Sequence, residues 1–276
     1  MRYALKLFYL GRYEGFQRQT KKETIEGYLE IALKNAGLIE NLTSAVYASA
    51  GRTDKGVHAL SQVVAISTSE KLIIPAINSY LPKNIVIWAA SVVNDKFHPR
   101  YEAISRYYRY YTLYSNEDID LMREGAKILE GIHNFKLFSK KNPEKYTIKE
   151  IYQIGIEKKE LILIFHIIAN SFLWQMVRRL IDSLLKIGQS QWKLEDLKDL
   201  LNGIPKSNIY TTPLPINGSG ALILWDVEYL FQFQPYIKSV NQIKTLLRDF
   251  LVNFSLKSAS FKEFYNFFNM FSNKQK

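Results

Sequence analysis

The sequence predicts an α+β fold of two similar halves, each a mixed, mainly antiparallel sheet with packed helices, which meet at a cleft. Three observations support this class. Strand-like and helix-like stretches alternate irregularly along the chain. Several apolar stretches are paired across short turns, as in antiparallel hairpins. The 276 residues also suffice for one large domain or two smaller ones, each with its own core.

The first predicted half, residues 1–104, begins with a strand at 2–10, where apolar residues alternate with others. A helix at 24–36 follows, because apolar residues recur on one helical face: Ile25, Leu29, Ala32, Leu33 and Ala36. The later predicted elements are strands near 44–50 and 61–67, a short helix at 74–80 and a strand at 85–93.

The second predicted half comprises residues 105–230. Its predicted elements are a strand at 105–114, a helix at 120–131, a hairpin of strands at 150–156 and 161–169, a helix at 171–187 and a final strand at 221–229. Gly188 is expected to end the long helix. Glycine and proline are concentrated at 203–220, which predicts a mobile loop before the final strand.

The last predicted part, residues 231–276, is a helical extension. Apolar residues recur there at helical spacing: Ile243, Leu246, Leu247, Phe250 and Leu251. We expect this helix to pack on the domain, with contact to RNA or dimerisation as alternatives.

Charge and composition limit the partners that this chain can bind. The net charge is +11 and aromatic residues make up 14%, which predicts an anionic partner such as RNA. An acidic membrane surface is the rival, but the longest apolar stretch, 161–169, is too short to span a bilayer. Cysteine is absent, which excludes disulfides and thiolate chemistry. The first residues show no signal-peptide pattern, so we expect a cytoplasmic protein.

The segment GRTDKGVHA, residues 51–59, is the strongest candidate for chemistry. Glycines 51 and 56 permit a sharp turn and close approach of a ligand. Asp54 lies between Arg52 and Lys55, and two nearby cations favour an ionised carboxylate, which suits a nucleophile or a base. The alternative is an ordinary hairpin turn between two apolar strands.

The whole segment GRTDKGVHA resembles the signature of the TruA family of tRNA pseudouridine synthases, in which the aspartate of an RTDxGVHA loop is catalytic. Other segments resemble the same family and occur in the family's order. The resemblance covers about residues 3–229 and is to an archaeal-like member. They are GFQRQ at 15–19, NSYLP at 78–82, FHPR at 97–100, SRYYRYYTLY at 105–114 and NSFLWQMVRRLIDSLLKIG at 170–188.

The resemblance implies a pseudouridine synthase fold with a basic RNA-binding cleft. It also implies isomerisation of uridine in tRNA, in the anticodon stem-loop, by a cytoplasmic homodimer that needs no cofactor and no metal. The scattered histidines agree with the absence of a metal site. The alternatives are a non-catalytic protein that binds structured RNA, or a synthase that acts at other RNA positions. A glycoside hydrolase would need a second carboxylate in comparable context, and none is apparent.

The resemblance also assigns roles to four residues. Asp54 is the catalytic carboxylate, and it either attacks C1′ of the ribose or removes a proton from C2′. Tyr108 stacks on the target base. Arg52 enters the space that the extruded uridine leaves, or else it pairs with Asp54. Arg178 holds Asp54 ionised and oriented, or else it pairs with Asp182 four residues later.

Two stretches depart from the family pattern. The residues before the MVR segment are Leu173, Trp174 and Gln175, where relatives often carry an aromatic or histidine pair, and GSGALILW replaces the usual entry to the last strand. Both stretches flank the expected pocket, so they bear on how the base edge is read. His58 is interpreted as a structural residue.

Overall fold

The computed structural model describes residues 1–140, 145–205 and 222–272, with side chains described as far as residue 264. The strands are β1 (Arg2–Tyr9), β2 (Ala48–Ser49), β3 (His58–Ser67), β4 (Ile85–Val93), β5 (Ser105–Leu113), β6 (Gly131–Asn134), β7 (Ile148–Lys159), β8 (Ile162–Ala169), β9 (Leu222–Glu228) and β10 (Gln234–Pro235). The helices are α1 (Ile25–Asn35), α2 (Ile74–Tyr80), α3 (Ile119–Leu129), α4 (Met176–Gly188), α5 (Leu194–Leu201) and α6 (Ile237–Ser272). This content confirms the predicted α+β class.

Within the described residues the strands form one continuous sheet, in the order β10, β4, β1, β3, β9, β5, β8, β7 and β6, with β2 paired to β3. The pairs are antiparallel except for β3 and β9, which run parallel. The late strand β9 lies between the first and second halves and joins them. The two predicted sheets are therefore parts of a single sheet, because one strand from the end of the chain bridges them.

Two hydrophobic cores lie along this sheet. The first is built around β1, β3 and α1 and includes Tyr9, Phe16 and Leu29. The second is built around β5, β8 and α4 and includes Phe165. Val57, from the GRTDKGVHA segment, belongs to the second core although it precedes β3. The chain thus crosses from one core to the other at this segment.

The elements begin and end for local reasons. Helix α1 starts after Thr24, whose side chain accepts a hydrogen bond from the Gly27 N–H at 3.2 Å, as expected of an N-cap. Helix α4 begins at Met176, later than the predicted residue 171, because Gln175 has a left-handed backbone with φ of 60°. Residues 44–46 form turns, so the strand predicted near 44–50 shrinks to β2. Strands β6 and β10 and helix α5 were not predicted.

Helix α6 lies in the part of the chain for which a helical extension was predicted. At its start, buried Ser239 accepts a hydrogen bond from the Asn78 side chain at 2.9 Å, and Arg12 lies 4.9 Å from the ring centre of Phe250. Beyond Phe250 the described side chains are exposed as far as Phe264. The expected packing on the domain is therefore correct only for the first turns. Most of the loop predicted at 203–220 lies outside the described residues.

Candidate active site

Strand register brings the Asp54 loop and Tyr108 to the junction of the two halves. Strand β3 begins four residues after Asp54, and its Ala59 pairs with Leu224 of β9. Leu224 in turn pairs with Tyr108 of β5. Two strand spacings separate Tyr108 from Ala59, roughly 10 Å. Residues from opposite halves thus reach one site because β9 lies between them.

The loop that carries Asp54 is held firmly on both sides. The Thr53 hydroxyl shares a hydrogen bond with the Tyr9 hydroxyl at 2.7 Å, and the Thr53 carbonyl accepts the Phe16 N–H at 3.0 Å. Thr53 and Val57 are buried, whereas Asp54 between them is exposed. The arrangement presents one carboxylate to solvent from an immobilised backbone.

Glycines let a second loop approach this one closely. Gly56 has a φ of 84°, a left-handed angle that favours glycine. Gly51 has no such angle and has open space around it, so the predicted need for glycine holds at 56 and not at 51 on backbone grounds. The Gly11 N–H donates to Nδ1 of His58 at 2.9 Å. His58 thus ties the two loops together, which agrees with its structural interpretation.

The Asp54 carboxylate is bound by a residue that the sequence reasoning did not assign. Nε1 of Trp174 donates a hydrogen bond to Oδ1 of Asp54 at 3.2 Å. Lys55 is directed elsewhere, since its Nζ lies 2.5 Å from Oε1 of Glu14. Arg52 is exposed, and no ion pair between Arg52 and Asp54 forms among the described residues. The alternative role of Arg52 as the partner of Asp54 therefore receives no support.

Tyr108 is half-buried and lies within electrostatic range of Asp54. Its ring meets that of Phe172 edge-on, with centres 5.2 Å apart. Burial raises the pKa of Tyr108 to about 12, against a lowering by Arg106, and the charge of Asp54 adds to the rise. Tyr107 points to the opposite face of the sheet, where its hydroxyl binds Nδ1 of His166 at 2.6 Å. Tyr108 is thus a neutral aromatic surface within the electrostatic reach of Asp54.

Arg178 lies in the first turn of α4 and is buried. It contacts neither of the two carboxylates considered from the sequence. Asp182 pairs with Lys186 at 2.9 Å, so the expected alternative of an Arg178–Asp182 pair is wrong. The described residues contain no Arg178–Asp54 ion pair, and Nη1 of Arg178 is buried without a hydrogen-bond partner. Arg178 does lie near Tyr110, whose pKa it lowers against the larger raising effect of burial.

Three further residues shape the site and were missed as functional candidates. Phe172 and Trp174 come from the NSFLWQMVRR segment, so their proximity to a matched motif was the available signal. Arg106 is buried and donates to the carbonyl oxygens of Arg100 at 2.5 Å and Asn170 at 2.6 Å. Arg106 therefore fixes β5 against the segment that carries Phe172 and Trp174.

Among the described residues, no cluster of three or more histidine, aspartate or glutamate side chains has a geometry that could hold a metal ion. None of the described helices is both long enough and apolar enough to cross a membrane.

A family model and individual sequence relatives both match tRNA pseudouridine synthases. A family model described as tRNA pseudouridine synthase matches residues 126–230. A tRNA pseudouridine synthase A of Methanosarcina barkeri is 44% identical over 205 residues, which cover 73% of this chain and 76% of that protein. The tRNA pseudouridine synthase A of Methanosphaera stadtmanae is 36% identical over 270 residues, which cover 94% of this chain and 96% of that protein.

The second match is long enough to include part of the segment after residue 230, so the resemblance extends further than residues 3–229. Among solved structures, an archaeal box H/ACA sRNP Nop10–Cbf5 complex gives a TM-score of 0.34 at 12% identity, with 66% of this chain and 44% of that chain covered. That likeness is too weak to support an argument. The sequence relatives alone are sufficient: the chain belongs to the TruA family of tRNA pseudouridine synthases.

Proposed function

We propose that this protein converts uridine to pseudouridine in the anticodon stem-loop of tRNA, with Asp54 as the catalytic carboxylate. The reaction breaks the bond between N1 of uracil and C1′ of ribose, turns the base and rejoins it through C5. It needs a carboxylate near C1′ or C2′, a surface on which the base can turn, and exclusion of water. Asp54 supplies the carboxylate, whether it attacks C1′ or removes a proton from C2′.

The observation that carries this proposal is that the strand register brings exposed Asp54 and half-buried Tyr108 to the same junction of the halves, within electrostatic range of each other. Stacking on a tyrosine ring tolerates rotation of the base, because a stacked contact has no fixed hydrogen-bond register. The high pKa of Tyr108, about 12, keeps its hydroxyl neutral beside the carboxylate. The ring can therefore hold a freed base without adding a second negative charge.

Two arginines have proposed roles in binding RNA. Arg52 is exposed next to Asp54, and a planar cation that stacks and binds phosphate suits the space left by an extruded nucleotide. Extrusion costs a few kcal/mol, roughly, so a compensating contact is required. Arg178 is proposed to bind Asp54 or the substrate once RNA is bound, which its unpartnered Nη1 would permit.

The larger organisation is part of the same proposal. We take residues 1–104 and 105–230 as the two halves and 231–276 as the helical extension, supported by the two cores and the exposed α6. The net charge of +11 supports a polyanionic substrate. A cytoplasmic homodimer is proposed from the family resemblance, and sedimentation as a monomer at working concentrations would contradict it.

The experiment is to incubate the protein with unmodified tRNA transcript, without cofactor or metal, and to map pseudouridine by position. Control transcripts carry cytidine in place of each uridine of the anticodon arm. Product that disappears with one or more of these replacements supports the proposed site. Product elsewhere would move the site, and tight tRNA binding without product would favour the RNA-binding alternative.

A further inference from the structure

We propose that Trp174 is a positioning residue that sets the orientation of the Asp54 carboxylate for the chemical step. Its indole N–H holds Oδ1, so that Oδ2 is the oxygen left to react with the nucleotide. This inference rests on the proposed function, in which Asp54 supplies the reacting carboxylate.

The side chains of Trp174 and Asp54 are in direct contact. Nε1 of Trp174 lies 3.2 Å from Oδ1 of Asp54. In the part of the chain that the structure describes, this indole is the side-chain donor to the carboxylate. An indole N–H donates but does not accept, so it can hold a carboxylate without competing for the proton that the carboxylate moves.

Trp174 is itself held in place. Its carbonyl oxygen accepts the Lys140 N–H at 3.0 Å, and Nζ of Lys140 lies 4.7 Å from the centre of the indole ring. The next residue, Gln175, has the left-handed φ of 60° that turns the chain into α4. Because the Asp54 loop is also fixed, the hydrogen bond joins two immobilised segments.

The residue expected to hold the carboxylate, Arg178, does not do so among the described residues. Arg178 is buried and forms no ion pair with Asp54 among the described residues. The side-chain contact that can orient the carboxylate in this structure is therefore the one from Trp174.

The contact should matter for the reaction and not for folding. Trp174 is 42% exposed and Asp54 is exposed, so water competes for both groups in the free protein and the net gain there is small. Bound RNA would exclude that water, and the same hydrogen bond is stronger at lower dielectric. Loss of the N–H should thus appear in the chemical step, with the thermal stability unchanged.

The test compares Trp174→Phe with a matched variant, Trp192→Phe. The first keeps an aromatic ring beside Lys140 but removes the donor. The second makes the same change at a tryptophan that also has a lysine over its ring, Lys186 at 4.9 Å. We expect Trp174→Phe to lower the single-turnover rate about 10- to 100-fold, with tRNA affinity and Tm unchanged. Trp192→Phe should keep the wild-type rate, and a wild-type rate for Trp174→Phe would overturn the proposal.

A second readout does not depend on activity. The chain has four tryptophans, and Trp174→Phe identifies the indole N–H resonance of residue 174 by its disappearance. Asp54→Asn should shift that resonance and leave the resonance of Trp192 in place. If the wild-type protein makes no pseudouridine, the proposed function fails, but this measurement still decides the contact. An unshifted Trp174 resonance would show that the indole does not bind Asp54 and would overturn the inference.

Discussion

Replacing Gly11 by alanine should displace the Asp54 loop while the rest of the fold stays intact. A Cβ atom at position 11 would lie 2.4 Å from the carbonyl carbon of Gly56 and 2.7 Å from the carbonyl oxygen of Val57. Carbon atoms in contact normally lie about 3.5–4.0 Å apart, so the backbone must move by about 1 Å. The atoms in the way belong to the backbone and cannot rotate aside as a side chain would.

The size of the effect follows from this displacement. A misplacement of about 1 Å can lower a reaction rate about 100-fold. Overpacking costs about 1–3 kcal/mol, and for a chain of this size that lowers Tm by about 2–12 °C. Single-turnover formation of pseudouridine and thermal unfolding measure the two effects. Gly51→Ala is the matched control and should keep the wild-type Tm, because a Cβ there meets no atom within 4 Å. A Gly11→Ala protein with the wild-type rate would show that the added Cβ does not displace the Asp54 loop.

Changes at three further places in the chain have defined outcomes. Tyr108→Phe should retain pseudouridine formation and Tyr108→Ala should lose most of it, because the ring and not the hydroxyl stacks on the base; equal loss in both would contradict this. The folded protein keeps the Tyr108 proton to a pKa of about 12, whereas the unfolded chain loses it from about pH 10. The stabilisation from this group is therefore complete below pH 10 and is lost as pH rises towards 12, so unfolding of Tyr108→Phe should depend less steeply on pH in that range. Arg52→Ala should lower turnover of tRNA without changing Tm, since Arg52 is exposed; a lower Tm would indicate a structural role. Removal of residues 251–276 should leave Tm unchanged, because the described side chains from 251 to 264 are exposed, and a large fall would reveal packing that the structure does not contain.

Local patterns in the sequence were sufficient for most of the fold. Strands β1, β4 and β5 and helices α1 and α2 lie within a residue or two of their predicted bounds, because alternation and helical periodicity are both read from neighbouring residues. The position of β9 could not be predicted in this way. Its parallel pairing with β3 joins residues far apart in the chain, and no local pattern specifies such a pairing.

The candidate site was likewise predicted only where local patterns in the sequence indicate it. Asp54 and Tyr108 were predicted as site residues from motifs, and the alternation of β5 separated Tyr108 from Tyr107, whose hydroxyl binds His166. The hydrogen bond from Trp174 to Asp54 joins residues 120 positions apart. It depends on the left-handed turn at Gln175, which has no signature in the sequence, so it could be recognised only in the structure.

The most direct test of the central claim is the rate of pseudouridine formation by Asp54→Asn in tRNA under single-turnover conditions, with tRNA affinity measured alongside. Asp120→Asn, a second exposed aspartate, is the control. We expect Asp54→Asn to form no product while it binds tRNA as the wild type does, and Asp120→Asn to match the wild type in both measurements. Product formation by Asp54→Asn at the wild-type rate would contradict the assignment of Asp54 as the catalytic carboxylate.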